Sequence, residues 1–378
     1  MAYADLTATI RARIGDLPAE QWDRLAGDDN PFTSHAFLTA LEDSGSVGPG
    51  TGWQSAPLVL QDGAGELLGA LPSFLKLHSQ GEYVFDHGWA DAWERAGGSY
   101  YPKLQISVPF TPATGPRLLV ADTAMAAPLL SAAAQLVQRN GWSSAHATFV
   151  ETDQIALFEQ AGWLRRQDIQ FHWTNRHFAS FDDFLATLAS RRRKVLRKER
   201  RLANEGVTVQ VLRGDDIKSA HWDAFWLFYQ DTGARKWGSP YLTREAFDLF
   251  GERLGNRIVL VLALDDGEPV AGALNFAGTQ ALYGRYWGCR VDKPFLHFEL
   301  CYYRAIDIAI DMGLGRVEAG AQGHHKLARG YEPVVTTSMH YIADPGFRAA
   351  VSEFLESERN GVAFEKVKLS RHTPFRRG

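Results

Sequence analysis

The spacing of apolar residues in the first half of the chain predicts strands and helices in alternation. Apolar runs at 58–60 and 67–75 flank Asp62-Gly63, a dipeptide typical of hairpin turns, and a third strand is expected at 83–86. Ser34 is of a residue type that caps helices. The other elements predicted in this half are helices at about 36–43, 124–140 and 154–160, a strand at 145–149, and a strand from Gly162-Trp163 through Trp173.

The second half of the chain repeats this order of elements. Apolar runs at 258–264 and 269–277 flank Asp266-Gly267, and a third strand is expected at 280–288. A largely apolar helix from about 296 to 312 ends at Gly313, a residue that commonly terminates helices. The other elements predicted here are helices at 181–204 and about 219–232, strands at 207–212 and 316–319, and a strand from Gly330-Tyr331 through Ile342.

Two short strings mark this internal repeat. Gly-Ala-Leu begins at Gly69 and again at Gly272, each time in the second strand of a hairpin. A glycine followed by an aromatic residue precedes the last strand of each half, at Gly162 and Gly330. These landmarks lie 93 residues apart in the first half and 58 apart in the second. The first copy therefore carries an insertion, which we place at 87–117, a stretch rich in aromatic residues, Gly and Pro.

The repeat predicts an α/β (α+β) protein of two tandem domains, 1–176 and 177–378, each with a mixed, mostly antiparallel sheet flanked by helices. A chain of 378 residues is also long for a single hydrophobic core. The insertion at 87–117 contains five large aromatic residues. Because such residues would form a large exposed apolar patch if solvated, we expect an ordered flap over a groove between the domains.

Composition narrows the class of protein. A formal net charge of −4 and 45% hydrophobic residues are typical of a globular chain and not of a polycation or a disordered one. The two cysteines, Cys289 and Cys301, exclude a disulfide scaffold, indicate a reducing compartment and lack the spacing of zinc ligands, so no metal site is predicted. No apolar run approaches the ~20 residues of a membrane helix, and no secretory pattern opens the chain, so the expected location is the cytoplasm.

Positive charge is concentrated in one predicted helix. Eight of the eleven residues from Arg191 to Arg201 are Arg or Lys, and the apolar residues of this helix fall roughly on one face. The remaining face suits phosphates of tRNA, of a nucleotide or of a lipid head group, and a solvated charged face is an equally weighted alternative. The candidate phosphate-binding residues are Arg191, Arg192, Arg193, Lys194, Arg197 and Lys198.

Four strings spread over nearly the whole chain carry a resemblance to a known family. They are FTPATGPR at 110–117, RKWGSPY at 235–241, LHFELCYY at 296–303 and EAGAQGHHK at 318–326. With them, the chain resembles the Fem-like predicted N-acyltransferases, relatives of the Fem aminoacyltransferases that extend peptidoglycan cross-bridges. The resemblance implies two tandem GNAT domains. It also implies transfer of an acyl or aminoacyl group to an amine acceptor, linked to peptidoglycan or other cell-envelope precursors.

The segment before the long helix bears on the acyl donor. GNAT enzymes bind the coenzyme A pyrophosphate at a glycine-rich turn that opens this helix, where backbone N–H groups face the anion. The second copy has RVDKPF at 290–295, without glycine and with Asp292, whereas the first copy has Gly115 and Arg117. Fem enzymes also lack the turn and use aminoacyl-tRNA. The donor is therefore either aminoacyl-tRNA or acyl-CoA, and no permanently bound cofactor is expected.

Acylation of an amine requires a base and hydrogen-bond donors for a tetrahedral oxyanion. Glu318 closes a short strand, and His325 follows seven residues later, after a turn with two glycines. We predict that both act as acid–base groups at one site, with Gln322 bound to the substrate as an oxyanion donor. A structural capping cluster is the equally weighted alternative. Glu299 is a third catalytic candidate, although a carboxylate at a helix start also complements the helix dipole.

The remaining candidates are predicted to bind substrate. In the second copy they are His297, Tyr303, Lys326 and the basic–aromatic turn Arg235, Lys236 and Trp237; in the first copy they are Asp86 and His87. Plain core packing is the competing explanation for the aromatic members of this set.

The preferred interpretation is an N-acyltransferase with an amine-bearing acceptor and with tRNA or another polyanion at the basic helix. The alternative is a non-catalytic protein that recognises a peptidoglycan-like or polyanionic ligand in a groove between the domains. Convergence of Glu318 and His325 on one pocket would favour catalysis, and scattered surface positions would favour binding.

Overall fold

The chain folds into two compact units. The computed structural model describes residues 6–237, 240–320 and 323–376, without the side chains of 233–237 and 324. The first unit consists of Met1–Asp168 and Val335–Phe364, and the second of Ile169–Val334 and Glu365–Gly378. The predicted domains, 1–176 and 177–378, are each continuous, whereas the observed first unit also includes a segment close to the C-terminus.

The first half of the chain contains nine described strands and five described α-helices. The strands are β1 (Thr7–Ile10), β2 (Trp53–Ser55), β3 (Leu58–Gln61), β4 (Leu67–Leu71), β5 (Ser73–Lys76), β6 (Lys103–Ile106), β7 (Leu119–Val120), β8 (Ser144–Ala147) and β9 (Leu164–Thr174). The helices are α1 (Ala19–Ala26), α2 (His35–Asp43), α3 (His87–Arg95), α4 (Ala126–Arg139) and α5 (Ile155–Gln160). Ser34 caps α2, as predicted, because its hydroxyl accepts a hydrogen bond from the Phe37 N–H.

The described part of the second half contains six strands and seven α-helices. The helices are α6 (Phe181–Ala186), α7 (Ser190–Asn204), α8 (Ser219–Trp237), α9 (Arg244–Leu254), α10 (Leu296–Phe298), α11 (Arg304–Asp311) and α12 (Pro345–Ser370). The strands are β10 (Thr208–Arg213), β11 (Ile258–Asp265), β12 (Glu268–Ala277), β13 (Ala281–Cys289), β14 (Arg316–Glu318) and β15 (Glu332–Ile342). A π-helical turn at Glu299–Tyr303 joins α10 to α11, and a 3-10 helix spans His324–Arg329.

The first unit contains two sheets. Strands β1, β3, β4 and β7 form an antiparallel sheet, and β15, β8, β6, β5 and β2 lie side by side in that order. In the second group, β6 and β8 are parallel, with Leu104 opposite Ala145, and the other pairings described are antiparallel. Leu129, Ala133 and Val137 of α4 are buried in the core against these strands, since they recur at helical spacing on one face.

The second unit has one mixed, mostly antiparallel sheet, as predicted. Its strand order is β10-β11-β12-β13-β14-β9. Strands β10 to β13 form an antiparallel meander, β14 is parallel to β13, and β9 is antiparallel to β14. Val259, Val261 and Val317 are fully buried in the same core as Leu300 and Ile306.

The last strand of each repeat takes part in the sheet of the other unit. β9 ends the first repeat in sequence, yet Trp173 and Thr174 pair with β14 of the second unit. β15 ends the second repeat, yet Met339 and Ile342 pair with β8 of the first unit. The repeated order of elements is therefore correct, but strand pairing is a tertiary property that the order alone does not specify.

Several predicted elements differ from the observed ones. Residues 83–86 are not a strand, because Glu82 just before them and Asp86 at their end turn inward to Lys103. The stretch 87–117 is ordered, but it is not a flap: it contains α3 and β6, and β6 lies between β5 and β8. The predicted helix at 181–204 is two helices, since Leu188 leaves the helical path and bridges to Phe375.

None of the described helices is both long and apolar enough to cross a membrane.

Candidate functional site

A pocket opens where β13 and β14 part. The two strands pair only over Ala281–Tyr283 and Arg316–Glu318, after which β14 ends while β13 continues to Cys289. In the β12–β13 ladder, Leu274 pairs with Tyr286 and Asn275 pairs with Gly284, so Arg285 is an extra residue. A bulge of this kind bends its strand and re-aims the neighbouring side chains. The bulge therefore lies at the edge of the opening.

This cavity, called here the β13 pocket, has a volume of about 120 Å³. Its walls are Ala273, Leu274, Asn275, Gly284, Arg285, Tyr286, Trp287, His297, Cys301, Tyr302 and Ala319. The described walls are thus aromatic and basic, without a carboxylate. His297, predicted to bind substrate, lies in the pocket wall with its ring 5.2 Å from that of Trp287.

Three polar side chains form a row across the strands beside this pocket. Tyr283 of β13 is directly opposite Glu318 of β14, which is directly opposite His172 of β9. Because side chains alternate along a strand, this row lies on the other face of the sheet from the buried Val317. A Cβ placed on Gly284, which lines the pocket, would lie 3.7 Å from the Glu318 carbonyl oxygen. The end of β14 therefore joins the pocket to the row.

Glu318 is buried, with 4% of its surface exposed. Its Oε1 accepts a hydrogen bond of 2.8 Å from Arg316 Nε, and its Oε2 lies 3.8 Å from His172 Nε2. Within the described part of the chain, Oε2 has no hydrogen-bond partner. One carboxylate oxygen is thus held in place by Arg316, and the other remains able to accept a proton.

His172 is a site residue that the sequence did not predict. Burial lowers its pKa below 6.5, although the Glu318 carboxylate opposes this shift, so the ring is neutral at pH 7. Its Nε2 lies 3.3 Å from Gln170 Oε1. His172 was missed because it lies on the last strand of the first repeat, and only the pairing of β9 with β14 brings it to Glu318.

His325 lies on the pocket side. Its Nε2 is 2.9 Å from the hydroxyl of Tyr302, and its ring is 6.3 Å from that of His297. His325 is exposed, whereas Tyr302 is buried and lines the pocket. The structure thus places Glu318 and His325 in different surroundings, the first bonded to Arg316 and the second to Tyr302. Their joint acid–base role stays a prediction.

Lys326 bonds back to the loop that leads from Glu318 to His325. It is 1% exposed, and its ammonium donates a hydrogen bond of 2.9 Å to the Gly320 carbonyl oxygen. Burial lowers the pKa of Lys326 to about 8. The predicted substrate ligand Gln322 lies outside the described residues. Arg235, Lys236 and Trp237 form the last residues of α8, and their side chains lie outside the described part.

Glu299 and Tyr303 have the contacts of structural residues. Glu299 is fully buried in the π-helical turn, 2.8 Å from Arg304 Nε and 3.3 Å from Arg200 Nε. Tyr303 is also fully buried, and its hydroxyl donates to the Glu199 carboxylate. The neighbouring Tyr302 lines the pocket instead, which a sequence pattern cannot distinguish because the π turn alters the helical register.

Helix α7 presents its basic residues to solvent. Arg191, Arg192, Lys194, Arg197 and Lys198 are exposed, and Arg193 is half-buried. Arg197 Nη2 is 2.8 Å from Asp182 Oδ1. Among the described residues, the other five form no ion pair with a carboxylate. The exposed basic face predicted for this helix is therefore present, and phosphate binding there stays a prediction.

Asp86 belongs to a buried charge cluster in the first unit, formed by Lys76, Glu82, Asp86, Lys103, His146 and His340. Lys103 Nζ lies 2.6 Å from Asp86 Oδ2 and 2.8 Å from Glu82 Oε2. Burial opposes ionisation of Asp86, but the Lys103 charge outweighs it and holds the Asp86 pKa below its usual range. Asp86 is thus a buried ion-pair partner. His87, the neighbouring candidate, is exposed at the start of α3 and stacks on Phe85.

Because two histidines of this cluster are buried, we expect the protein to lose stability in acid. His146 Nδ1 and His340 Nδ1 lie 2.6 Å apart, so one ring donates and the other accepts. Burial lowers the pKa of both rings, reinforced by Lys103 at His146 and by His146 at His340. Below pH 6.5 the unfolded chain therefore binds two protons that the folded chain does not. The free energy of unfolding should fall by about 1.4 kcal/mol per pH unit for each histidine.

Urea unfolding at several pH values between 7.5 and 5 measures this effect. His340→Phe should reduce the pH slope by about one proton, since the Trp89 ring already packs edge-on against the His340 ring. An exposed histidine, His372, provides the control, and His372→Phe should leave the slope unchanged. A pH slope that His340→Phe leaves unchanged would show that the two buried rings are not kept neutral.

In the described part of the chain, no group of three or more His, Cys, Asp or Glu side chains is placed to hold a metal ion.

The fold and the pocket define a class of protein: a tandem pair of GNAT-like units. In the second unit, the parallel strands β13 and β14 separate and leave a pocket between them. Solved structures share this fold. FemX has a TM-score of 0.53 at 13% identity, over 88% of this chain and 98% of that one. L-PGS from Bacillus licheniformis has a TM-score of 0.51 at 10% identity, over 87% and 98%. A tandem GNAT protein from the clavulanic acid biosynthesis pathway has a TM-score of 0.47 at 14% identity, over 90% and 99%.

The chain belongs to the FemAB-like family, described as peptidoglycan biosynthesis/recognition, whose family model matches residues 13–377. The identification with the Fem-like group and the predicted fold class are thereby confirmed. A comparison with curated proteins finds no match. Family membership relates the chain to peptidoglycan biosynthesis or recognition, and the solved structures show its fold.

Proposed function

We propose that the protein is an N-acyltransferase that transfers an acyl or aminoacyl group to an amine of a peptidoglycan or other cell-envelope precursor. The transfer site is the opening between β13 and β14 in the second unit. The observation that carries this proposal is the β13 pocket, whose wall at Gly284 lies close to the backbone of Glu318, a residue with a buried carboxylate that is bonded to Arg316. A donor in the pocket and an amine on the Glu318 face would meet at the end of β14.

The proposed chemistry is direct attack of the amine on the acyl carbonyl. The C–N bond forms, the bond from the carbonyl carbon to the donor oxygen or sulfur breaks, and the leaving group takes up a proton. Glu318 Oε2, which has no hydrogen-bond partner among the described residues, accepts the proton that the amine loses. His172 Nε2 lies 3.8 Å away, beyond hydrogen-bonding distance, and places a neutral ring beside the carboxylate. The neutral form of Lys326, with a pKa of about 8, is accessible near neutral pH and makes this residue a second proton carrier beside the pocket.

The donor remains aminoacyl-tRNA or acyl-CoA in this proposal. Pools of charged tRNA and a series of acyl-CoA esters, each with a peptide that ends in a free amine, would be screened by mass spectrometry for a new amide. One donor class should give product with the whole chain. Failure of both classes, together with a peptidoglycan fragment that co-purifies with the protein, would favour the non-catalytic binding protein instead.

If the donor is a tRNA, α7 should contribute to its binding. Arg191, Lys194 and Lys198 are exposed and lie three to four residues apart, so they share one face of the helix. Changing all three to Gln should weaken tRNA binding and reduce the slope of log K against log salt by about 2–3. Fluorescence anisotropy at several salt concentrations measures this slope.

A matched control for the α7 triple variant uses exposed lysines elsewhere. Lys366→Gln with Lys368→Gln removes charge from α12, where both side chains are exposed. This double variant should bind tRNA as the wild type does. Equal affinity of the wild type and the α7 variant at every salt concentration would exclude this face as a phosphate-binding surface.

A further inference from the structure

Asn275 places an unpaired acceptor atom in the wall of the β13 pocket. The residue is 1% exposed and lies in β12, opposite Gly284. Its Nδ2 lies 3.3 Å from the Val259 carbonyl oxygen and 3.4 Å from the Ala273 carbonyl oxygen. A carbonyl oxygen accepts hydrogen bonds only, so these two neighbours require the NH2 end of the amide on their side. The orientation of the Asn275 side chain is therefore determined by its surroundings.

The Asn275 Oδ1 atom consequently faces the other way. In the described part of the chain this atom is buried and has no hydrogen-bond partner. Gly284 keeps the space in front of it open, because a Cβ there would lie 3.3 Å from Oδ1. A buried acceptor without a donor destabilises the protein, so such an atom at a pocket wall indicates a donor on the ligand.

The charge of the pocket limits what kind of donor fits. Arg285 and His297 belong to the described lining, and no Asp or Glu does. An ammonium group there would lie near the Arg285 guanidinium, and the described lining offers it no carboxylate, whereas a hydroxyl, an amide N–H or an uncharged amine needs none. The pocket thus favours a neutral hydrogen-bond donor.

We propose that Asn275 is a specificity-determining residue, whose Oδ1 accepts a hydrogen bond from a neutral N–H or O–H group next to the carbonyl of the acyl donor. This inference rests on the proposed function, since it takes the β13 pocket as the donor site. It goes further by predicting that a plain acyl group, without an N–H or O–H group at this position, is disfavoured by the pocket itself.

Three small esters with one carbon skeleton test this idea: methyl L-lactate, L-alanine methyl ester and methyl propionate. They carry OH, NH2 and H at the carbon next to the ester carbonyl, and the ester itself has no N–H or O–H group. Ligand-observed NMR titration at pH 7 should show methyl L-lactate binding roughly 10- to 100-fold more tightly than methyl propionate. L-alanine methyl ester should gain affinity relative to methyl L-lactate as the pH rises through about 8, where an α-amino group loses its charge. This arm distinguishes an amino from a hydroxyl ligand.

Substitutions test whether Asn275 causes the difference in affinity between the probes. Asn275→Leu keeps the branched shape and removes the acceptor, so the ratio of the methyl L-lactate and methyl propionate affinities should fall to about one. Asn275→Asp keeps an acceptor and adds a negative charge, so it should favour the charged form of L-alanine methyl ester at pH 7 and serves if the Leu variant does not fold. Gly284→Ala should weaken all three probes together, because the added methyl group occupies the space in front of Oδ1. Circular dichroism and thermal unfolding report whether each variant is folded.

The outcomes separate this inference from the proposed function. Equal binding of methyl L-lactate and methyl propionate to the wild type, an unchanged ratio in Asn275→Leu, or no detectable binding of any probe would overturn the role of Asn275. Discrimination by the wild type in a protein that transfers no acyl group from any donor would keep Asn275 as a ligand-reading residue. That result would contradict the transferase proposal alone.

Discussion

Glu318→Gln should slow acyl transfer by about 10²- to 10⁴-fold, the usual contribution of a general base, once the donor is identified. The amide has nearly the shape of the carboxylate and still accepts a hydrogen bond from Arg316 Nε, but it cannot take a proton from the amine. The thermal unfolding midpoint should therefore change far less than the rate. Single-turnover measurement of the amide product, with donor and acceptor saturating, isolates the chemical step.

Two further variants accompany this prediction, a control and a second candidate base. Glu332→Gln changes a half-buried glutamate of the same unit, which pairs with Arg176, and should transfer at the wild-type rate. His325→Ala removes the second predicted acid–base group, whose link to the pocket runs through Tyr302. If Glu318→Gln and His325→Ala both turned over normally, neither of these two residues would be the base. The next residues to change would be Asp86 and His87 of the first unit.

The sequence predicted the elements of the second unit better than the neighbours of its candidate site. Glu318 was recognised because it ends a short strand inside a repeat whose order was readable. His172 was not, because its strand belongs to the first repeat in sequence and pairs with β14 only after folding. Asn275 was also missed, since a single Asn in an apolar strand is an ordinary core residue unless its hydrogen bonds are known.

The π turn explains why the sequence pattern does not give the surroundings of Glu299 and Tyr303. The residues at 296–303 were read as a regular helix, with Glu299 and Tyr303 available to a substrate. A π-helical turn adds a residue per turn and rotates the following side chains relative to that pattern. Glu299 thereby meets Arg304 and Arg200 in the interior, and Tyr302 takes the place at the pocket. Such irregular turns depend on tertiary contacts and leave little trace in hydrophobic periodicity.

Strand β6 was not predicted from the sequence because its polar residues are buried. Lys103 and Gln105 alternate with Leu104 and Ile106, and all four have no measurable exposure. An alternating pattern is expected for a strand with one wet face, yet here the polar face is covered by the charge cluster of the first unit. The cluster thus replaces solvent for these side chains, and its stability depends on the balance of charges within it.

The balance of charges in this cluster depends on Lys103. Its ammonium donates to Ser79 Oγ at 2.7 Å and also binds Glu82 and Asp86, the residues on either side of 83–85. Although burial disfavours its charge, the two carboxylates raise the pKa of Lys103 above its usual value. Lys76, the second buried lysine, has its pKa lowered by burial to about 7 and lies 3.8 Å from Glu82 Oε1. It is therefore a weaker partner for the carboxylates at neutral pH.

Lys103→Met should accordingly lower the free energy of unfolding by about 3–5 kcal/mol at pH 7, since it leaves two buried carboxylates without their main partner. Urea unfolding measures the loss. Lys366→Met, at an exposed position, should stay within about 0.5 kcal/mol of the wild type. The deficit of Lys103→Met relative to the wild type should shrink as the pH falls from 7 to 5. Without Lys103 the folded-state pKa values of Glu82 and Asp86 rise, so the carboxylates regain neutrality by binding protons that the unfolded chain binds only at lower pH. A deficit that is small at pH 7, or that grows in acid, would mean that the carboxylates are neutralised by other groups.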